Sequence, residues 1–355
     1  MQRSLFALLI AGLFAGLSAC RKDPDPAPIP AGTGPRVFVV CEGSYGSGNS
    51  ALTVYYPDSG LVIPDLYYQV NGHSLGDVFQ SMIHTTPDQF WLCVNNSDRI
   101  SVIGNGSMAE IASIQIPKPR YAVQVSDTKA YVSTLFSKNV YVINPRTNAV
   151  TKTISMPFRN PEGMALAGNK LWVATWDTAA AGVYAIDTAT DAISAPALIA
   201  GNAPQEIIQD AEGMLWVLSG NDAQGAESKL TRLNPATGAI LRSYSFGTAD
   251  ALKPTFNKAG DTLYFIEVSY TGGNTNNGVY RMGIHDAALP TQPFVAAQGL
   301  QYFWGVGVHP RSGNIYVADP KGFTQKGMVR IYKPNGSIVD SFATGVGPGH
   351  FFFEE

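Results

Sequence analysis

The residues able to do chemistry in this chain recur at one phase of a repeat rather than in a local motif. Gln80, Tyr121, Glu162, Gln205, Pro254 and Trp304 each stand about ten to twelve residues before an aromatic residue of a strand-like segment, and His350 occupies the matching place near the C-terminus. A second set, Tyr45, Asn95, Phe136, Trp176, Asp222, Tyr270 and Phe323, follows the same segments by a few residues. Arg120 and Arg159 are the cations beside them. Ring faces combined with amides and a few charges suit a large, flat or amphipathic small molecule, whereas a purely structural rim would favour small residues or Pro. Sequences of the HExxH, GxSxG, P-loop and EF-hand types are absent, and the five histidines are dispersed.

What must position these residues is legible between Tyr121 and Met156. That stretch reads as four short strands rich in Val, Ile, Tyr and Thr, separated by the polar turns Ser126-Asp127-Thr128 and Arg146-Thr147-Asn148. One such meander cannot bury both faces alone. Its second strand recurs, marked by Phe38, Trp91, Tyr131, Trp172, Trp216, Tyr264 and Tyr316, at intervals of 40 to 53 residues. Seven four-stranded copies predict an all-β, seven-bladed β-propeller with a WD40-like repeat. The first copy lacks an innermost strand and Gly349–Phe353 resembles one. The C-terminal strand is therefore expected to complete the first blade and close the ring, leaving no exposed edge at the seam. In that arrangement the first set of residues rings the channel mouth and the second opens on the same face.

Composition agrees with a turn-rich β protein: 355 residues, 36 Gly, 23 Pro and only 14% charged residues. A net charge of −3 without a basic stripe gives no support for a nucleic-acid partner. Residues 1–19 read as a signal peptide, with Arg3 ahead of an apolar run too short to favour a membrane span. Leu17-Ser18-Ala19-Cys20 resembles the bacterial lipobox, which implies acylation of Cys20. Residues 20–35 then form a Pro-rich tether and 36–355 the propeller. The acidic residues after Cys20 resemble an export tag for the outer face of the outer membrane. Cys41 and Cys93 sit one residue out of register relative to their markers, so their side chains are expected to face opposite ways as buried free thiols.

The segments CEGSYGSGN (41–49), NGHSLGDVFQSM (71–82), PRYAVQVSDTKAYVSTLFSKNVYVINPRTN (119–148) and WGVGVHPRSGNIYVADPKGFTQKGMVRIYKPNGSIVDSF (304–342) resemble the YncE-like seven-bladed surface lipoproteins of Bacteroidetes. The resemblance covers about residues 36–355. Through the BtuG-type members it implies a lipid-anchored, surface-exposed outer-membrane protein that captures cobalamin, as cargo rather than resident cofactor, and hands it to a TonB-dependent receptor. Related lipoproteins serve other cargo, including siderophores, and a ligand-free interaction scaffold is a further alternative. A Ca²⁺-dependent, lactonase-like hydrolase would need Glu, Asn and Asp ligands at the mouth. Of Glu42, Glu162 and Glu206, only Glu162 falls on a rim position, so a binding protein is expected rather than an enzyme. Anionic siderophores call for a basic rim, which Arg120 and Arg159 alone supply poorly.

Overall fold

The computed structural model describes residues 34–269, 276–299 and 301–354; the lipobox, the signal peptide and Tyr270 lie outside them. Seven four-stranded antiparallel sheets are present, each of one blade. Blade 1 is assembled from both ends of the chain. Its innermost strand is Pro348–Glu354, followed outward by Arg36–Cys41, Ala51–Tyr56 and Leu61–Ile63. Blades 2 to 7 run outward in chain order from innermost strands Phe79–Thr86, Pro119–Ser126, Pro161–Ala167, Pro204–Gln209, Asp250–Phe256 and Gly305–Val308. The expected closure is therefore present: Val37 pairs with Phe353, Val39 with Phe351, and an Arg36–Glu354 ion pair of 2.5 Å stands at the far end of the seam.

The seven marker aromatics hold the ring together because every one faces the following blade. Trp91 packs with Ala130 and Val132, Tyr131 with Leu171 and Val173, and Trp172 with Leu215 and Val217. Trp216 packs with Leu263 and Phe265, Tyr264 with Ile315 and Val317, and Tyr316 with Val37 and Val39 across the seam. Phe38 meets Phe90 at 5.4 Å. Each such side chain is worth roughly 1.5–3 kcal/mol of burial, which the alternation of a strand delivers at every second residue. Two of the indole tips are satisfied, Trp91 Nε1 donating to Asn148 Oδ1 and Trp216 Nε1 to Asp210 Oδ2, both at 2.9 Å, whereas Trp172 Nε1 is buried with no hydrogen-bond partner among the described residues.

Cys41 joins the cluster shared with blade 7 and Cys93 the cluster shared with blade 3, both as buried free thiols. The pattern did not reveal one short helix, Leu66–Asn71, in the long connection from blade 1 to blade 2. Asp65 caps it by accepting from Tyr68 N at 3.1 Å, and Gly72 ends it in the left-handed region at φ 71°. No helix among the described residues is long and apolar enough to cross a membrane.

Candidate functional site

Six of the seven innermost strands carry a β-bulge near the same end. Pairing with the second strand skips Gln80 in blade 2, Arg120 and Tyr121 in blade 3, and Glu162 and Gly163 in blade 4. It skips Gln205 in blade 5, Lys253 and Pro254 in blade 6, and Gly349 in blade 1. A bulge frees its extra residue from the ladder and re-aims the side chain. Of these residues Gln80, Arg120, Tyr121, Glu162, Gln205 and Lys253 line the channel mouth. Four bulges are preceded by a non-glycine residue with positive φ: Val78 (57°), Lys118 (46°), Asn160 (56°) and Ala203 (50°). The carbonyls of these residues accept from the N–H groups of Asn95, Leu135, Trp176 and Gly220 at 2.7–3.0 Å, which pins the neighbouring loop to the strand entry. A β-branched residue such as Val78 is strained there, and such strain persists where the surroundings enforce it.

The result is a cavity of about 460 Å³ at the mouth. Trp176, Trp304, Leu135, Leu218 and Leu252 supply apolar wall, and Gln80, Arg120, Tyr121, Glu162, Gln205 and Asp222 also line it. Eight of the candidate residues thus meet in one space. The other candidates stand elsewhere. Tyr45 and Phe136 are exposed on rim loops, at 81% and 62%. Arg159 is exposed too, its guanidinium donating to the Phe136 carbonyl at 2.8 Å, so it supplies no cation to the cavity. Asn95 is buried and donates to the Pro119 carbonyl at 3.2 Å. His350 lies beneath the wall, edge-on to Tyr121 at 5.8 Å. For Pro254 the structure substitutes its bulge partner, Lys253.

Glu42 and Glu206 line the cavity together with Glu162, although of the three only Glu162 falls on a rim position of the repeat count. For Glu206 the bulge at Gln205 is the reason, because a count from the marker fails beyond an inserted residue, while Glu42 follows directly on the second strand of blade 1. A usable signal was the Pro that opens several innermost strands, in Lys118-Pro119, Asn160-Pro161, Ala203-Pro204 and Gly347-Pro348. The two residues after each such Pro include Arg120, Tyr121, Glu162, Gln205, Glu206 and Gly349.

Two hydrogen-bonded groups make up the polar surface. In one, Arg120 Nε donates to Glu162 Oε2 at 2.8 Å, and Arg120 Nη1 to Gln80 Oε1. Gln80 Nε2 then donates to Tyr121 OH at 3.2 Å, and Tyr121 OH to Glu206 Oε1 at 3.3 Å. In the other, Trp304 Nε1 donates to Glu42 Oε1 at 3.0 Å, while Lys253 Nζ lies 3.8 Å from Glu42, 5.8 Å from the Trp304 ring centre, and donates to His350 Nε2 at 2.5 Å. Burial pushes the Glu206 carboxyl above the ordinary range, the Glu162 charge adding to that and Lys253 opposing it. Burial raises Glu162 as well, against the pull of Arg120. His350 is driven well below its ordinary value by burial and by the Lys253 and Arg120 charges, so its ring is neutral. The indole N–H of Trp176 is shut off from solvent and has no hydrogen-bond partner among the described residues. Those residues also contain no group of three His, Cys, Asp or Glu placed to hold a metal ion.

Fold and site together define a seven-bladed propeller with an aromatic, carboxylate-rich cavity at one mouth of its channel. The chain belongs to the family described as Domain of unknown function (DUF5074), whose model matches residues 36–353. No curated protein matches it. Among solved structures it is similar to a quinonprotein alcohol dehydrogenase-like protein from Bacteroides thetaiotaomicron, at 14% identity and a TM-score of 0.68 over 89% of this chain and 77% of that one. It is similar as well to a putative 6-phosphogluconolactonase from Bacteroides fragilis, at 11% identity and a TM-score of 0.66 over 93% and 100%. The WD40 propeller domain of Doa1 matches at 13% identity and a TM-score of 0.58 over 83% and 88%. At these identities the likeness shows the fold alone.

Proposed function

We propose that the chain is a solute-capturing surface lipoprotein, anchored through Cys20, that holds a corrinoid at the channel mouth and passes it to a TonB-dependent outer-membrane transporter. The observation that carries the capture reading is the cavity itself. Bulges in successive blades converge aromatic and polar side chains on one space, where both cations, Arg120 and Lys253, are held by Glu162 and Glu42. A corrinoid exceeds 460 Å³, so one edge enters the cavity while the flat ring lies across the mouth. Trp176, Trp304 and the exposed rim aromatics Tyr45 and Phe136 offer it surface. The resemblance in segments 41–49, 71–82, 119–148 and 304–342 supports the corrinoid and the transporter.

Titrating the purified protein with cyanocobalamin and with ferric siderophores tests the reading. Micromolar or tighter cobalamin binding that falls at least tenfold in the Trp176→Ala/Trp304→Ala double variant is the expected result. Failure to bind cobalamin removes the ligand, and unchanged binding in the double variant removes the site. A siderophore is disfavoured because Arg120 and Lys253 face five lining carboxylates, Glu42, Glu162, Glu206, Asp222 and Asp250. A metal-dependent hydrolase is the second reading: three glutamates line the cavity, although among the described residues no three acidic, His or Cys side chains are grouped closely enough to hold a metal ion. Ca²⁺-dependent lactone hydrolysis lost in Glu42→Gln would favour it over capture.

A further inference from the structure

Hydrogen-bond capacity at the mouth is unevenly distributed between donors and acceptors. Among the described residues the amides are already engaged: Gln80 lies between Arg120 and Tyr121, and Gln205 donates to the Gly220 carbonyl at 2.9 Å while accepting from Asn221 at 3.4 Å. Each cation faces a carboxylate, Arg120 against Glu162 and Lys253 against Glu42. Asp250 receives the Asp222 backbone N–H on both oxygens, at 3.0 and 3.2 Å. Glu206 differs. It lines the cavity, accepts one hydrogen bond, from Tyr121 to Oε1, and takes part in no ion pair among the described residues. A carboxylate accepts at about four sites and donates at none when ionised, so most of its capacity faces the cavity.

We propose that Glu206 is the polar anchor of the cavity and that it selects the N–H-bearing edge of a ligand, a primary amine or amide, while rejecting a carboxylate or phosphate edge. The inference deepens the capture reading and rests on it in one respect, that the cavity holds a ligand rather than a reacting substrate. The walls support it: Trp176, Leu218 and Leu252 reduce the local polarity, so an N–H donor on Glu206 forms a charge-assisted bond that water competes with poorly. A corrinoid fringed with primary amides meets the requirement through those amides. Its recognition then runs from ligand donor to protein acceptor, because the amides of Gln80 and Gln205 are bonded to protein neighbours.

The test uses small probes and the full chain. Benzylamine and benzoate, equal in size and opposite in charge, are titrated at neutral pH with tryptophan fluorescence as the readout. The amine is expected to bind at least about tenfold tighter than the acid, a difference of about 1.4 kcal/mol. Glu206→Gln should reduce that preference to less than threefold, while Asp127→Asn, in the exposed ion pair with Arg146 and not in the cavity lining, should leave it in place. Equal binding of the two probes, no binding of benzylamine, or a preference that survives Glu206→Gln overturns the proposal. Should Glu206→Gln fail to fold, the wild-type protein decides: affinity for benzylamine relative to benzyl alcohol must fall as acid protonates Glu206, and a ratio constant with pH overturns it. Cyanocobalamin titration separates the two readings. Amine preference through Glu206 without cobalamin binding keeps this anchor and removes the corrinoid; cobalamin binding without amine preference does the reverse.

Discussion

Replacing His350 with Gln should change how the ring responds to acid, by an amount that follows from its surroundings. The imidazole sits under the cavity wall, held by Lys253 at 2.5 Å and set edge-on to Tyr121. Burial first, then the Lys253 and Arg120 charges, push its pKa well below the ordinary 6.5. A base depressed in the folded state contributes stability above its unfolded pKa and loses it as pH falls, because only the unfolded chain takes the proton. With the folded ring staying neutral, the loss is at most RT ln(1 + 10^(6.5−pH)), about 1.4 kcal/mol at pH 5.5 and about 2.7 kcal/mol at pH 4.5. Gln keeps an acceptor for Lys253 and removes the titration. Glu42, Glu162 and Glu206 share the same space and titrate in both proteins, so they largely cancel in the difference. Urea unfolding between pH 7 and pH 4.5 should show the wild type losing up to that much more stability than His350→Gln. Parallel stability profiles would refute a neutral, buried His350.

Deleting residues 348–355 removes the innermost strand of blade 1 and the contacts of Phe351, Phe352 and Phe353. At roughly 1.5–3 kcal/mol per phenylalanine the loss rivals the 5–15 kcal/mol net stability of a typical domain, so no cooperative melt is expected by circular dichroism; an unchanged melting temperature would contradict the closure. Burial raises the Cys41 and Cys93 thiols to about 11 and about 12. Iodoacetamide at pH 8 should therefore label neither in the folded protein and both in urea, read by peptide mass spectrometry. In Gly349→Ala the new Cβ would stand 2.3 Å from Glu42 Oε1 and 3.1 Å from Trp304 Cδ1. That variant should lose about 1–3 kcal/mol in urea and shift tryptophan emission as Glu42 leaves the indole, whereas a wild-type spectrum and stability would show that the bulge tolerates a side chain.

The blades were legible because their information is strictly periodic. Phe38, Trp91 and Tyr316 obey the same alternation, and each meets a neighbour that the next copy of the repeat supplies. The mouth was legible only to within a residue. Trp304 and Tyr121 were placed by counting from a marker, and the same count selected Pro254 where Lys253 reaches the cavity and passed over Glu206 beside Gln205. An inserted residue shifts the phase of everything before it, and nothing in the alternation of hydrophobic residues reports it. The loops resisted for a different reason. Phe136 adopts φ 60°, a conformation that propensity assigns to Gly or Asn, and so stands outward on the rim instead of over the cavity with Trp176.

The bulges separate two tasks that a strand residue ordinarily performs together. A residue within the ladder must keep its partner, its face and its neighbour in the next blade, so exchanging it disturbs the architecture. Gln80, Arg120, Glu162, Gln205 and Lys253 have no opposite number in the second strand. They form a ring of positions whose identity the scaffold leaves largely open, subject to their contacts with one another. Descent with modification, or deliberate library design, can therefore rewrite what this mouth accepts by altering a handful of codons, while the seven sheets go on folding as before.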